Sequence, residues 1–380
     1  MFVILKEGLR IFKRNIKVKL FGLEKFSGTD EEICRKIIDA CWNGKYFSTT
    51  PKGGNYGFYS RDFGWCIQSL INLGYKNEVN KTLEYALKIF EKNKGIYVSI
   101  SPSGIPFNFP NIYSPDSVAY IFRSIRINKN KKIIEKYRSF LNFEAKKFRN
   151  ICIDNKGIIN QKHFSGMRDY AIIKGSCYDM IMACLLEDEI NKINEYFGRE
   201  ILINPFKNID LKNNLINNFW NGKYFQELNK NILYGHNNVY PYFLDIVKDK
   251  KMLLSSITHI KKAKLDMPIP LKYESNMDKS NYGDKYYKND KTKFIWQELF
   301  VKDWEKRTSW SMLGMAYIYI LARVDKKKAK KHLKEYKSLI EKYGFVEVYD
   351  NLKPYQSFFY TSETRMLWAS MYLELKNLTY

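Results

Sequence analysis

The sequence predicts an all-α fold, an (α/α)6 barrel: a toroid of about twelve helices with short β-hairpins on its rim loops. Three observations carry that expectation. Most of the 380 residues fall into stretches of helical period. The hexapeptide WNGKYF occurs twice, at Trp42–Phe47 and Trp220–Phe225, 178 positions apart. Each copy closes one helix and leads through an aromatic-rich link into the next, GFYSRDFGW in the first case and ILYGHNNVYPYF in the second. Two similar halves of about six helices suit a toroid of paired helices, although propensity alone fits a helical solenoid as well.

The elements follow in order. Thr29 precedes three acids and then Ile33, Ile37 and Cys41 on one stripe, which predicts a capped helix ending at Trp42. Comparable periodicity covers Phe63–Leu73, Glu78–Phe90, Pro115–Ile127, Lys131–Phe148, Tyr170–Leu186, Leu211–Trp220, Val239–Val247, Met252–Lys262, Trp310–Arg323, Lys326–Tyr343 and Thr364–Leu375. In both hexapeptides the Asn-Gly pair is a strong hairpin signal, because both residues tolerate positive φ. Lys272–Lys293 is the most polar stretch and fits a solvated loop or a flap over a site. No Ser/Gly linker divides the chain. Residues 1–28 are therefore expected to be a basic lead-in and residues 29–380 a single domain.

Composition narrows the function. Lys and Arg total 64 against 40 acids, a net charge of +24. That charge suits a polyanionic partner, but the lysines are spread over nearly every segment, so a generally basic surface is the expectation and no nucleic-acid partner is. The six cysteines form no C-x-x-C, and two pairs sit seven apart on one helix face; buried free thiols in a reducing cytoplasm are expected. Four histidines, none in ligand spacing, give a metal site little to be built from. The apolar start is five residues long with no cleavage pattern after it, and the longest apolar run, Met312–Ala322, is too short to span a bilayer. These features predict a cytoplasmic protein without membrane insertion.

Three segments concentrate groups able to do chemistry. GFYSRDFGW (Gly57–Trp65) sets Arg61 and Asp62 among aromatics where a helix begins. Such a cluster can hold a sugar, with rings against its C–H faces and the charged pair on its hydroxyls; alternatively Asp62 is a helix cap and Phe63 and Trp65 are core. HFSGMRDYAIIKGSCYDMIMACLL (His163–Leu186) sets a second Arg-Asp pair, Arg168 and Asp169, before a helix that Asp169 could cap. In Lys342–Leu375, Glu347 lies in a β-like run and Glu363 enters the last helix. Plainer roles for these two are an exposed strand carboxylate and a first-turn acid.

In order along nearly the whole chain, these segments resemble the six-hairpin glycosidases: trehalase, the glucosidase domain of glycogen-debranching enzymes, mannosylglycerate hydrolase and relatives. RDFGW is similar to their RDSFW-type substrate motif, and SGMRDY to the SGWDFS stretch whose Asp is the general acid. FWNGKYFQEL is similar to their FWD…GYF stretch, and RTSWSMLGMAYIYILAR to a late Trp-bearing barrel helix. FVEVYD and MLWASMYLEL are similar to the closing strand and helix, where a Glu is the general base.

The resemblance implies an inverting hydrolase of an α-glucosidic bond, in a maltooligosaccharide, a glycogen branch or a trehalose-like substrate, with no cofactor. Asp169 would be the acid. Glu347 or Glu363 would be the base, Glu347 being preferred for its place in FVEVYD. Tyr59, Arg61, Asp62 and Trp65 would bind the sugar, with Arg168, His236, Asn237, Trp296, Trp304 and Trp310 as further candidates. Rival readings are a sugar epimerase, whose catalytic histidines would have to include His236, a non-catalytic carbohydrate-binding scaffold, and a basic helical protein for nucleic acid or a membrane surface.

Overall fold

The helices divide by composition into two kinds, and the division sets the architecture. Ser311–Ala322 is apolar around its whole circumference, and Cys177–Leu186 buries every residue. Helices of this kind need protein on all sides. Asp30–Cys41 and Lys326–Tyr343 instead bury one stripe each, Ile33, Ile37 and Cys41 in the first and Leu333, Tyr336 and Ile340 in the second. In the computed structural model, which describes residues 2–169, 173–228, 231–274 and 303–379, the first kind forms an inner ring and the second an outer one.

Fourteen helices are present among the described residues: α1 (Phe2–Phe21), α2 (Asp30–Cys41), α3 (Ser60–Asn72), α4 (Lys76–Lys92), α5 (Pro115–Asn128), α6 (Lys131–Lys136), α7 (Arg138–Cys152), α8 (Cys177–Phe197), α9 (Leu211–Phe219), α10 (Tyr240–Phe243), α11 (Lys250–Lys262), α12 (Ser311–Ala322), α13 (Lys326–Tyr343) and α14 (Ala369–Thr379). The inner ring runs α3, α5, α8, α10, α12, α14 and closes where α14 packs on α3. From α2 onward the chain alternates outer and inner elements, with α6 and α7 together forming one outer element, which makes six pairs. Closure is reinforced at Asp30 on α2, which accepts hydrogen bonds from Tyr372 Oη (2.6 Å) and Lys376 Nζ (2.7 Å) on α14.

Close approach within the inner ring depends on small residues. A Cβ on Gly64 of α3 would lie 2.4 Å from Tyr120 Cβ of α5, and the Arg123 guanidinium of α5 donates to the Gly64 carbonyl. Gly64→Val is therefore expected to destabilise the protein by about 1–3 kcal/mol, since neither helix can retreat without opening the ring. Denaturant titration checks this, and an unchanged midpoint would contradict it.

The two hexapeptides occupy equivalent corners, each between an outer and an inner helix, in the first and fourth of the six pairs. Trp42 bridges Phe47 and Trp220 bridges Phe225. Asn43 Oδ1 accepts from Lys45 N and Tyr46 N, and Asn221 Oδ1 accepts from Lys223 N and Tyr224 N, all at 2.9–3.0 Å. Only the glycines, Gly44 at φ +90° and Gly222 at φ +87°, are left-handed. The expected pair of positive-φ residues is thus corrected: the Asn side chain, not its φ, closes the turn.

Two small antiparallel sheets lie on the rim. In the first, β1 (Phe58–Tyr59), β2 (Ser99–Ile100) and β3 (Pro106–Phe107) pair in that order. In the second, β4 (Ser309–Trp310), β5 (Val348–Asp350) and β6 (Lys353–Pro354) do the same. All six cysteines are buried and free. Among the described residues no helix is long and apolar enough to cross a membrane.

Several expectations are modified. Lys131–Phe148 is broken at Tyr137, which ends α6 and begins α7. Val239–Val247 shrinks to α10 after a 3-10 turn at His236–Asn238, because Asp245 takes φ +58° and the Ile246 and Val247 amides both turn back to the Pro241 carbonyl. Residues 1–28 contain a 20-residue helix, α1, which lies over the rim. Arg10 donates to the carbonyls of Gly54 and Tyr56, Arg14 to that of Thr361, and Asn15 to that of Phe358, at 2.6–2.9 Å.

Candidate active site

Inner helices α3 and α12 begin at the rim, and their N-terminal ends, with Trp368 just ahead of α14, border a cavity of about 630 Å³. That volume lies within the ~300–1,000 Å³ usual for small-molecule sites. β1 delivers Tyr59, and the first two turns of α3 deliver Arg61, Asp62 and Trp65. β4 brings Trp310. Glu347 stands immediately before β5, and Asp169 comes from the loop ahead of α8. Asp169 and Glu347, from segments 178 positions apart, therefore line the same cavity.

Burial governs the carboxylates. It raises Asp169 to about 8; Arg61 opposes the rise, and the charges of Glu305 and Glu347 add to it. The Asp169 amide donates to Glu305 Oε1 at 2.5 Å, which fixes the loop while its side chain faces the cavity. Glu347 is 5% exposed, so the picture of an exposed strand residue is corrected. Burial raises it to about 7, against a 2.6 Å hydrogen bond from Tyr360 Oη. Asn55 Nδ2 donates to its other oxygen at 3.1 Å. Asp62, raised by burial to about 6, accepts from Trp368 Nε1 at 2.9 Å. It sits in the first turn of α3 and is not its cap. Asp169 does not cap α8 either; Ser176 does, accepting from the Asp179 amide.

Arg61 is anchored by Asp116 on α5, with Nε 2.6 Å from a carboxylate oxygen. Its Nη2 is buried and has no hydrogen-bond partner among the described residues, which leaves a donor for a ligand at the cavity wall. Aromatic rings form two further walls. Trp304 packs edge-on against Trp310 and Tyr360, both at 4.7 Å between centroids. Trp65 meets Trp368 at 5.9 Å.

Other candidates lie elsewhere. Glu363 does not line the cavity, nor is it a first-turn acid, since α14 begins at Ala369. It lies behind Glu347, ion-paired to Arg14 Nε of α1 at 2.9 Å and accepting from the Gly54 amide. A Cβ on Gly53 would come within 2.7 Å of its oxygens, so the Gly-Gly of the loop lets backbone reach this carboxylate. Arg168 stays behind the wall, against Glu305 (3.4 Å) and Glu274 (3.8 Å) and over the rings of Tyr234 and Tyr273. His236 is enclosed by Tyr178, Tyr234 and Tyr273, and burial and Arg168 keep it neutral. Asn237 donates to Glu227, whose other oxygen accepts from the first amide of α8. Trp296 and most of Lys272–Lys293 lie outside the described residues.

No family model matches the sequence, and no curated protein matches it. Solved structures do. A rhamnosidase from Klebsiella oxytoca with rhamnose bound aligns over 90% of this chain at TM-score 0.55 and 11% identity, and this chain spans 64% of that one. A glycosidase variant in complex with glucose aligns over 98% of this chain and 97% of its own, at TM-score 0.60 and 10% identity. The chain is an (α/α)6 toroid.

The toroid's cavity includes groups that the sequence reading passed over: Asn55, Tyr360 and Trp368, the apolar Met167, Met312, Phe107 and Phe109, and one face of α1. Tyr360 and Trp368 stand in the same C-terminal segment as Glu347 and Glu363, but no local spacing distinguishes a ring that holds a carboxylate from one that fills a core. Asp116 and Glu305 carried no signal; their roles exist only through partners distant in sequence.

Proposed function

We propose that the chain is a glycoside hydrolase of the six-hairpin type that acts with inversion. The observation that carries this reading is the placement of Asp169 and Glu347 in one aromatic-walled cavity, with Asp169 pushed far enough up to hold its proton at neutral pH. Glycoside hydrolysis needs one carboxyl group to protonate the leaving oxygen and another to act on the opposite side of the sugar. Asp169 is the general acid and Glu347 the general base that deprotonates the attacking water. Arg61 and Asp62 hydrogen-bond the hydroxyls of the non-reducing sugar, and Trp65, Trp304 and Trp310 pack on its faces. The sugars bound by the two structural neighbours agree with this reading. His236 is buried outside the cavity, which favours this reading over an epimerase.

The substrate class follows from the sequence resemblance: an α-glucoside such as a maltooligosaccharide, a glycogen branch or a trehalose-like disaccharide. Sugar release from a panel of α-linked glycosides tests the reading, with NMR following the anomer first formed. Release of the inverted anomer is expected. Release of the retained anomer would recast Glu347 as a nucleophile, and sugar binding without any release would leave a binding scaffold.

The pH profile is a second check. Glu347 must be ionised, so activity rises as pH passes about 7; Asp169 must be protonated, so activity falls as pH passes about 8. A narrow bell in kcat/KM between those limits is expected, both belonging to the interacting pair. A plateau extending to pH 10 would exclude Asp169 as the acid.

A further inference from the structure

We propose that α1 is a docking element for an anionic membrane surface, and that the rim carrying the cavity mouth rests on that surface. One side of α1 faces the toroid, with Asn15 and Val18 buried. A second side, which borders the cavity mouth at one end and is otherwise open to solvent, carries Leu5, Leu9, Phe12, Ile16 and Leu20, which are 62, 52, 38, 43 and 71% exposed. Their spacing of four, three, four and four places them on one continuous stripe. Single exposed leucines are ordinary, but five apolar side chains aligned along one solvent-facing helix stripe are not.

The charges favour lipid as the occupant. At helical spacing, Lys6, Lys13 and Lys17 run along one border of the stripe and Lys19 along the other. The helix holds six cations and one acid, Glu7, for a net +5. Arg10, Arg14 and Lys17 have acidic partners, whereas Lys6 and Lys13 form no ion pair among the described residues. An apolar stripe between basic borders is the pattern of a helix lying in the plane of an anionic interface. Two copies meeting through this stripe would instead bring two such charges together. The helix is already folded and fastened to the rim by Arg10, Arg14 and Asn15, so binding requires no ordering step.

The apolar surface continues beyond α1. Phe358, 72% exposed, lies beneath Lys19, and its neighbour Phe359 packs on Phe12. Leu5, Leu9 and Phe12 also line the cavity, so the stripe reaches its mouth. One consequence, which rests on the glycosidase reading, is that sugars carried on lipid headgroups would meet the cavity directly.

Co-sedimentation of the full chain with vesicles tests the surface. Phosphatidylcholine vesicles with about 30 mol% phosphatidylglycerol are expected to bind at least about tenfold more tightly than phosphatidylcholine alone. Raising the salt from about 0.1 to 0.5 M should weaken that binding severalfold. Ile16→Glu with Leu20→Glu, neither of which lines the cavity, should weaken it about tenfold or more at unchanged melting temperature, and Lys6→Glu with Lys13→Glu should do the same. No binding to either vesicle, or variants that bind like the wild type, would overturn the proposal. So would a concentration-dependent dimer abolished by the Ile16 and Leu20 substitutions, which would assign the stripe to a second copy. Hydrolysis of a soluble glycoside, read in parallel, separates failure of this surface from failure of the hydrolase reading.

Discussion

Asp169→Asn is expected to lower kcat by about 10³-fold on glycosides whose leaving alcohol needs a proton. The loss should be far smaller on a nitrophenyl glycoside or a glycosyl fluoride, whose leaving group departs as a stable anion. This dependence distinguishes an acid from a residue that merely shapes the cavity; an equal loss on every leaving group would remove Asp169 from the role. The same substitution has a stability consequence of opposite sense. Burial raises Asp169 from the ordinary carboxylate range to about 8, so the folded state holds the proton that the unfolded state releases. The resulting stability is complete below about pH 4 and is lost as pH rises through about 8. Asn cannot ionise. Relative to wild type, the melting temperature of the variant should therefore climb between pH 4 and pH 9, by about 2 °C or more. A relative fall would mean that nearby cations stabilise the ionised carboxylate.

Glu347→Gln is expected to lower kcat by about 10³-fold or more on all leaving groups alike, because the attacking water loses its base in every case. The amide can still accept from Asn55, so the variant should fold. Glu363→Gln provides the contrast. Its carboxylate faces Arg14 and the Gly54 amide, not the cavity. Weakening that buried pair should cost about 2 kcal/mol or more of stability and leave kcat within about tenfold of wild type. If Glu363→Gln instead abolished turnover and Glu347→Gln did not, the base would be Glu363 and the cavity would have to rearrange around substrate.

The ring was legible because its physics is local. Stretches of helical period recur along the chain, and WNGKYF marked two equivalent corners. Failures occurred where tertiary partners decide. The Val239–Val247 periodicity was real, but Asp245 and the Pro241 carbonyl end the helix after one turn. The basic lead-in expected at residues 1–28 holds α1, whose attachment to the rim runs through carbonyls far along the chain and so left no local mark. Within the site, RDFGW and SGMRDY identified Arg61, Asp62, Trp65 and Asp169, all of which line the cavity. Arg168, His236 and Asn237 carried the same local marks and lie behind it. Sequence could not separate the two groups, because the difference is which side of a loop faces inward.

The clasp at Asp30 has a further meaning. Asp30 joins the first outer helix to the last inner one through Tyr372 and Lys376, so the seam of the ring is held by side chains as its other joints are. A circle closed by non-covalent contact has no privileged starting point. Chain order from α2 onward is thus separable from shape: a permuted chain opened at the Val324–Lys326 corner, with a linker leading from α14 back into α1, is expected to retain all six helix pairs. The covalent path through the toroid is one cut among several that its packing would accept.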